Sequence, residues 1–190
     1  MKQPLFIKYV LPFIQWYALM IFFALGIDYL LHYFNIVSVG RYLGILGTVI
    51  IILSFIYSLR KRKIIETGTP KQLLVLHEYL AWIGSILILV HAGIHFNALL
   101  PWLAIGLLLI SVASGLVGKF LLQKSSESLK ERKQALITSG LNVEEADKKL
   151  FFDSVTVDAM RKWRVVHLPV TFLLGILSLL HIITIIMFGK

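Results

Sequence analysis

Two stretches decide the fold of this chain: HEYLAWIGSILILVH, residues 77–91, and HLPVTFLLGILSLLH, residues 167–181. Each begins and ends with histidine, and the two histidines are fourteen residues apart in both. Fourteen residues of α-helix rise about 21 Å and complete four turns less about 40°, so both histidines of a stretch lie on nearly one face. The interval therefore predicts two helices that each present a histidine near either end.

The composition places both stretches in a membrane. Of 190 residues, 58% are hydrophobic and only 15% charged, far from the composition of soluble globular proteins. Five segments are long enough to span about 30 Å of hydrocarbon; they are residues 9–34, 39–59, 73–96, 99–122 and 165–188. We expect an all-α integral membrane protein, a bundle of five transmembrane helices in which residues 1–190 form one domain. The first segment is too long and unbroken for a cleavable signal, so we expect it to be retained.

The net charge of +9 is distributed as membrane topology requires, so we expect no nucleic-acid partner. Basic residues concentrate at the N-terminus and in two connections, residues 60–71 and 119–164. The positive-inside rule makes these regions cytoplasmic and the C-terminus extracytoplasmic. Helices one, three and five then run outward, and we expect a prokaryotic cytoplasmic membrane.

The two histidine pairs then agree in depth as well as in spacing. His77 and His167 fall near the cytoplasmic side, and His91 and His181 near the outer side. Ionisable residues are costly in a bilayer and usually functional there, although polar residues also join membrane helices through hydrogen bonds. Zinc or copper needs three or four ligands at one point, which histidines about 21 Å apart along a helix cannot supply. The pattern predicts two haem b groups between helices three and five, with axial pairs His77–His167 and His91–His181.

These histidines make the chain resemble the bis-haem membrane cytochromes b, especially the ferric-reductase-like transmembrane domains. In that family the third and fifth helices supply four axial histidines, which match the four residues named above. The resemblance covers residues 73–188 and implies electron transfer across the bilayer through two haems. The quinol-oxidising cytochrome b of respiratory complexes uses a similar pair of parallel helices, so the histidines do not choose between these families.

The sequence also departs from the ferric-reductase pattern. That domain has six helices and is often followed by flavin and nicotinamide domains, whereas this sequence predicts five helices and no Gly-rich dinucleotide fingerprint. It contains no cysteine, which excludes an iron–sulfur cluster held by this chain. We therefore expect an oxidoreductase subunit whose partner is a quinone, an extracytoplasmic cytochrome or iron–sulfur protein, or a cytoplasmic dehydrogenase. An oligomer is compatible with this arrangement.

Several residues near the histidines are candidates for contact with haem. Gly84 lies seven residues from both His77 and His91, where a porphyrin edge or a neighbouring helix can approach; both readings are open. Pro169 should kink its helix if the helix begins earlier, near Thr156. Arginine binds propionates well because its planar fork bonds two oxygens, although membrane topology alone also explains cations here. The candidate propionate contacts are Arg60, Arg62, Arg161 and Arg164 on the cytoplasmic side and Arg41 on the outer side.

Three polar residues near the outer side form a candidate quinone or proton site. Asp28 and His32 are four residues apart and share a helix face. His95 lies one turn after His91 and is also the alternative to it as an iron ligand. An interfacial hydrogen-bonded pair is the other reading of Asp28 and His32.

The cytoplasmic connection, residues 123–162, is expected to be helical. Ser126 can begin a helix that runs to about Ser139 and ends at Gly140. Asn142 and Glu145 have the spacing of a capping box for a second helix through residue 150. Such a hairpin covers a haem, docks a partner or simply connects the flanking helices.

Three classes of function follow from the sequence. The first is a di-haem b-type electron-transfer subunit. The second is a self-contained reductase of a small acceptor such as ferric iron or oxygen, which would be active without partner chains. The third is a haem-free transport or scaffold protein, which would stay colourless when haem is supplied.

Overall fold

The computed structural model describes residues 5–94, 99–118 and 123–188, and every regular element in these ranges is helical. The helices are α1 (Leu5–Tyr33), α2 (Val39–Ser54), α3 (Ile56–Lys61), α4 (Pro70–Ile94), α5 (Leu99–Leu116), α6 (Gln123–Thr138), α7 (Val143–Lys149) and α8 (Phe151–Phe188).

The predicted all-α class and the five membrane spans are confirmed at the level of the helices. Five segments are long and apolar enough to cross a bilayer; they are Val10–Tyr33, Val39–Lys61, Pro70–Gly93, Leu99–Leu116 and Val165–Phe188. None of the residues in Val165–Phe188 is buried within the chain. Lipid, a cofactor or a partner therefore has to cover its apolar side chains.

The chain divides into two compact units. One, the 113–171 unit, comprises Met1–Tyr17 and Ala113–Thr171; the other, the 18–112 unit, comprises Ala18–Val112 and Phe172–Lys190. His77, His91 and His181 belong to the 18–112 unit, whereas His167 belongs to the 113–171 unit.

In the 18–112 unit, α2 packs closely on α4 through glycines. A Cβ atom added at Gly47 would lie 2.9 Å from the carbonyl oxygen of Gly84. A Cβ atom at Gly84 would lie 2.7 Å from Cγ1 of Ile51 and 3.0 Å from the carbonyl oxygen of Gly47. The two backbones are thus in contact, as is typical of membrane helix pairs built on small residues. Gly84 thus packs on α2, and its predicted contact with haem stays a prediction.

The second predicted segment, 39–59, is interrupted at Phe55, which separates α2 from α3. The amide of Phe55 donates to the carbonyl of Ile52, three residues back, at 3.0 Å. The hydroxyl of buried Ser54 donates to the carbonyl of Ile51 at 2.6 Å. Such local bonds tighten the last turn and compete with the regular helical ladder. The interruption was not predicted.

In the 113–171 unit, the turns of the predicted hairpin are confirmed. Gly140 has φ 95°, a left-handed conformation that ends α6. Asn142 and Glu145 form the capping box at the start of α7. Two boundaries were wrong. The first helix already includes Gln123, ahead of Ser126, and Phe151 already begins α8, so residues 151–162 belong to the long last helix.

Ion pairs and a small apolar core hold α6, α7 and the start of α8 together. Arg132 on α6 donates to Asp153 on α8 at 3.0 Å, with both side chains only 17% exposed. Lys133 on α6 pairs with Asp147 on α7 at 2.6 Å. The buried apolar residues here are Ala146, Leu150 and Val157. These contacts join α6, α7 and the start of α8, and the role of this connection stays a prediction.

α8 has 38 residues and includes Pro169 in its interior. At 1.5 Å per residue its length is about 57 Å, which exceeds the roughly 30 Å of the hydrocarbon core. The helix therefore extends well beyond its apolar span. Because Pro169 has no N–H, it cannot donate to the carbonyl four residues earlier. The kink expected at Pro169 stays a prediction.

Candidate functional site

His91 lies against the first turns of α2. Its Nδ1 lies 3.0 Å from the carbonyl oxygen of Gly40, and a carbonyl can only accept, so the imidazole donates. A Cβ atom at Gly44 would lie 2.5 Å from Cγ of the His91 ring. Any other residue at position 44 would therefore have to displace the imidazole or separate the helices.

His77 is held in the same way at the opposite end of α2. Its Nδ1 donates to the carbonyl oxygen of Ser54 at 3.0 Å. That carbonyl lies in the last turn of α2, where helix carbonyls lack intrahelical partners. The ring of Tyr57 stacks on the imidazole with centroids 5.7 Å apart and planes inclined by 30°. Ser54 and Tyr57 together fix the position of this ring.

The two acceptors on α2 repeat the interval of the two histidines on α4. Gly40 and Ser54 are fourteen residues apart, as are His77 and His91. Gly40 meets His91 and Ser54 meets His77, so α2 and α4 run antiparallel. Equal intervals on two straight helices keep both contacts on the facing sides. Helix α2 therefore holds both histidines of α4 at once.

His167 is held by a side chain instead. Its Nδ1 lies 2.7 Å from Oγ of Ser114, a residue of α5 that is only 1% exposed. A Cβ atom at Gly115 would lie 3.5 Å from Cε1 of the ring, an ordinary van der Waals contact. The hydroxyl of Thr171 donates to the main-chain carbonyl of His167 at 2.7 Å. Within the 113–171 unit, α5 thus supplies the support that α2 supplies in the other unit.

In all three cases the held nitrogen is Nδ1 and the partner is oxygen. Metal-ligating histidines almost always donate their second ring N–H to a carbonyl, carboxylate or water, which fixes the tautomer and raises ligand basicity. The two carbonyl partners place the proton of neutral His77 and His91 on Nδ1, so each would coordinate iron through Nε2. The donor set at these residues therefore fits axial ligation of haem.

The fourth histidine, His181, is partly exposed on α8. Gly175, midway along the same stretch, is exposed, and a Cβ atom there would meet nothing within 4 Å. The structure brings none of the described His, Asp and Glu side chains together in a group of three or more that could hold a metal ion.

Asp28 and His32 form the predicted pair on α1. Nδ1 of His32 donates to the main-chain carbonyl of Asp28 at 2.9 Å and lies 3.7 Å from its carboxylate Oδ1. That Oδ1 is buried and has no hydrogen-bond partner among the described residues. A Cβ atom at Gly93 on α4 would lie 3.1 Å from it. The carboxylate therefore sits against α4, two residues beyond His91. His95 lies outside the described residues.

The arginines predicted to contact propionates are in different settings. Nε of Arg60 donates to the carbonyl oxygen of Gly68 at 3.1 Å, and this residue is partly buried. The exposed members of the set are Arg41, Arg62 and Arg161. The side chain of Arg164 lies outside the described part of the chain. Propionate contact stays a prediction for all of them.

Sequence reasoning missed five residues that position the histidines, and one of them is Tyr57, which stacks on His77. Gly40 and Ser54 act through their main-chain carbonyls, Gly44 through its lack of a side chain, and Ser114 through its hydroxyl. One signal was present. Gly40 and Ser54 repeat the fourteen-residue interval, and Gly40, Gly44 and Gly47 place small residues on one face of α2.

Comparison with known proteins adds no relative: no protein-family model, no curated protein and no solved structure matches this chain.

Proposed function

We propose that this chain is a di-haem b-type cytochrome that transfers electrons across the membrane as a subunit of a larger redox complex. The observation that carries the proposal is the Nδ1-to-oxygen hydrogen bond made by three of the four histidines that sequence spacing paired. Such bonds prepare an imidazole for a metal, because they fix which nitrogen carries the proton. Haem, when bound, supplies one-electron redox chemistry at its iron.

In this proposal the protein's residues position and insulate the redox centres. His77 and His167 ligate one haem and His91 and His181 the other, as the sequence predicts. The carbonyls of Gly40 and Ser54 orient the two α4 imidazoles, and Gly44 lets His91 approach the α2 backbone. The apolar helices exclude water, and burial of this kind is one of the factors that set a haem potential. A quinone or a protein on either side exchanges the electrons.

The haem-free scaffold is the second candidate, and the same bonds favour it. A histidine that donates to the carbonyl of a neighbouring helix also joins membrane helices. In a scaffold, however, nothing requires both pairs to share the fourteen-residue interval. The self-contained reductase is a variant of the proposed function, and turnover by the purified chain alone would identify it.

Haem quantified against protein, together with the reduced-minus-oxidised spectrum, tests the proposal. We expect two b haems per chain. Replacing His77 or His167 with alanine should remove one and the same haem, and replacing His91 or His181 should remove the other. His32→Ala, at an exposed histidine outside the proposed ligands, is the control and should keep both. A colourless protein produced with ample haem would leave the scaffold reading.

A further inference from the structure

The bond between Ser114 and His167 differs in kind from the bonds of His77 and His91. Both carbonyl partners can only accept, whereas a serine hydroxyl both donates and accepts. If Ser114 donated its proton to Nδ1, the ring proton would lie on Nε2 and that nitrogen would not bind iron. Iron ligation through Nε2 therefore requires the hydroxyl of Ser114 to accept from Nδ1.

Burial makes this bond consequential. Ser114 is 1% exposed, so bulk water does not replace its hydroxyl as an acceptor for the imidazole. The contact is short, at 2.7 Å, and the ring also lies beside Gly115, where an added Cβ atom would be 3.5 Å from its Cε1. A buried acceptor at this distance gives the ligand more imidazolate character, which stabilises ferric over ferrous iron.

We infer that Ser114 is a positioning residue that fixes the tautomer of His167 and lowers the midpoint potential of the haem this histidine ligates. The inference rests on the proposed function. It adds that one side chain tunes a single haem, while the α2 carbonyls support the α4 ligands of both. The midpoint potentials of the two haems can then be set separately. An electron conduit across a membrane needs this, because the difference between the two potentials sets the direction of transfer.

A spectroelectrochemical titration of Ser114→Ala tests the inference. Removing the acceptor should weaken the preference for ferric iron by about tenfold, an upward shift of about 59 mV for one electron. The shift should be confined to the haem that disappears in His167→Ala. Ser114→Thr, which keeps a hydroxyl, should return the potential towards that of the unmodified protein.

Ser85→Ala is the matched control. Ser85 is equally buried, at 1% exposure, but its hydroxyl donates to the carbonyl of Ala81 in its own helix at 2.6 Å. We expect this variant to leave both potentials unchanged. Two bound haems with unchanged potentials in Ser114→Ala would overturn the inference and leave the proposed function standing. A haem-free unmodified protein would overturn the proposed function, and the inference with it.

Discussion

The imidazoles of α4 rest on main-chain oxygens of α2, whereas the imidazole of His167 on α8 rests on the side chain of Ser114 on α5. No substitution at Gly40 or Ser54 removes a carbonyl, but one substitution at Ser114 removes the hydroxyl. At His91 the support depends instead on Gly44, because a side chain at that position would displace the ring from the α2 backbone. The support from α2 is therefore sensitive to added side-chain volume, whereas the support from Ser114 is sensitive to loss of its hydroxyl.

Added volume at Gly44 should have the largest effect. In Gly44→Ala, the new Cβ would fall 2.5 Å from the ring of His91, so the imidazole has to leave the carbonyl of Gly40. We expect loss of one of the two haems, the one that His91→Ala also removes, by quantitative visible spectroscopy. Gly26→Ala, where a Cβ meets nothing within 4 Å, should retain both. Full haem content in Gly44→Ala would break the claim that glycine is required here.

The end of the α2–α4 contact at which His91 lies also carries the candidate quinone site. Asp28→Asn keeps the shape of the side chain next to Gly93 but removes its capacity to accept a proton. If quinol is the donor, we expect turnover to fall by about 10²-fold, the lower range for loss of a general base, with both haem spectra intact. The exposed carboxylate of Asp158 on α8 offers a control in Asp158→Asn. Unchanged turnover would contradict the quinone site and leave the interpretation of Asp28 and His32 as an interfacial hydrogen-bonded pair.

At the centre of the α2–α4 contact, added volume should cost stability. Gly84→Ala would place a Cβ 2.7 Å from Ile51 and 3.0 Å from the carbonyl of Gly47. Overpacking of this kind costs about 1–3 kcal/mol. We expect a lower thermal midpoint in detergent, with partial loss of both haems because α2 supports His77 and His91 alike. Gly106→Ala, in open space on α5, is the control. Equal thermal midpoints for the two variants would show that the α2–α4 contact accommodates the added Cβ atom without loss of stability.

The smallest effect is expected at the start of α7 in the 113–171 unit. Asn142→Ala removes the capping box of α7 and should cost about 1 kcal/mol locally. Hydrogen exchange of the amides in Val143–Lys149 should accelerate about fivefold, while the haem spectra stay the same. A change in either haem would show that the hairpin communicates with the membrane-spanning part.

Much of the fold followed from sequence because apolar length and turn chemistry are local signals. The five spans, Gly140 and the capping box at Asn142 were all predicted. The interruption at Phe55 was not, because it depends on how the Ser54 hydroxyl and the last amides share carbonyls. The early start of α8 at Phe151 was also missed, because charged residues such as Asp158 and Arg161 separate this stretch from the apolar run by which the span was recognised.

The candidate site divides in the same way. Spacing within one helix identified the histidines, because a fixed interval on a helix determines the face. Their hydrogen-bond partners lie on other helices, and no periodicity tells which helix is the neighbour. Ser114 shows this most clearly: a serine in an apolar helix commonly bonds to its own backbone, as Ser85 does. Only the packing of α5 on α8 distinguishes the two serines.

The equal intervals on α2 and α4 also make the lengths of these helices interdependent. One residue inserted between Gly40 and Ser54 would advance one contact by about 1.5 Å and turn it by about 100° relative to the other. One residue inserted between His77 and His91 would likewise move one imidazole away from its carbonyl partner on α2. Only paired insertions, one in each helix, keep the two intervals equal. Helix α2 therefore fixes the distance between the two α4 histidines. A change in that distance requires a change of equal length in both helices.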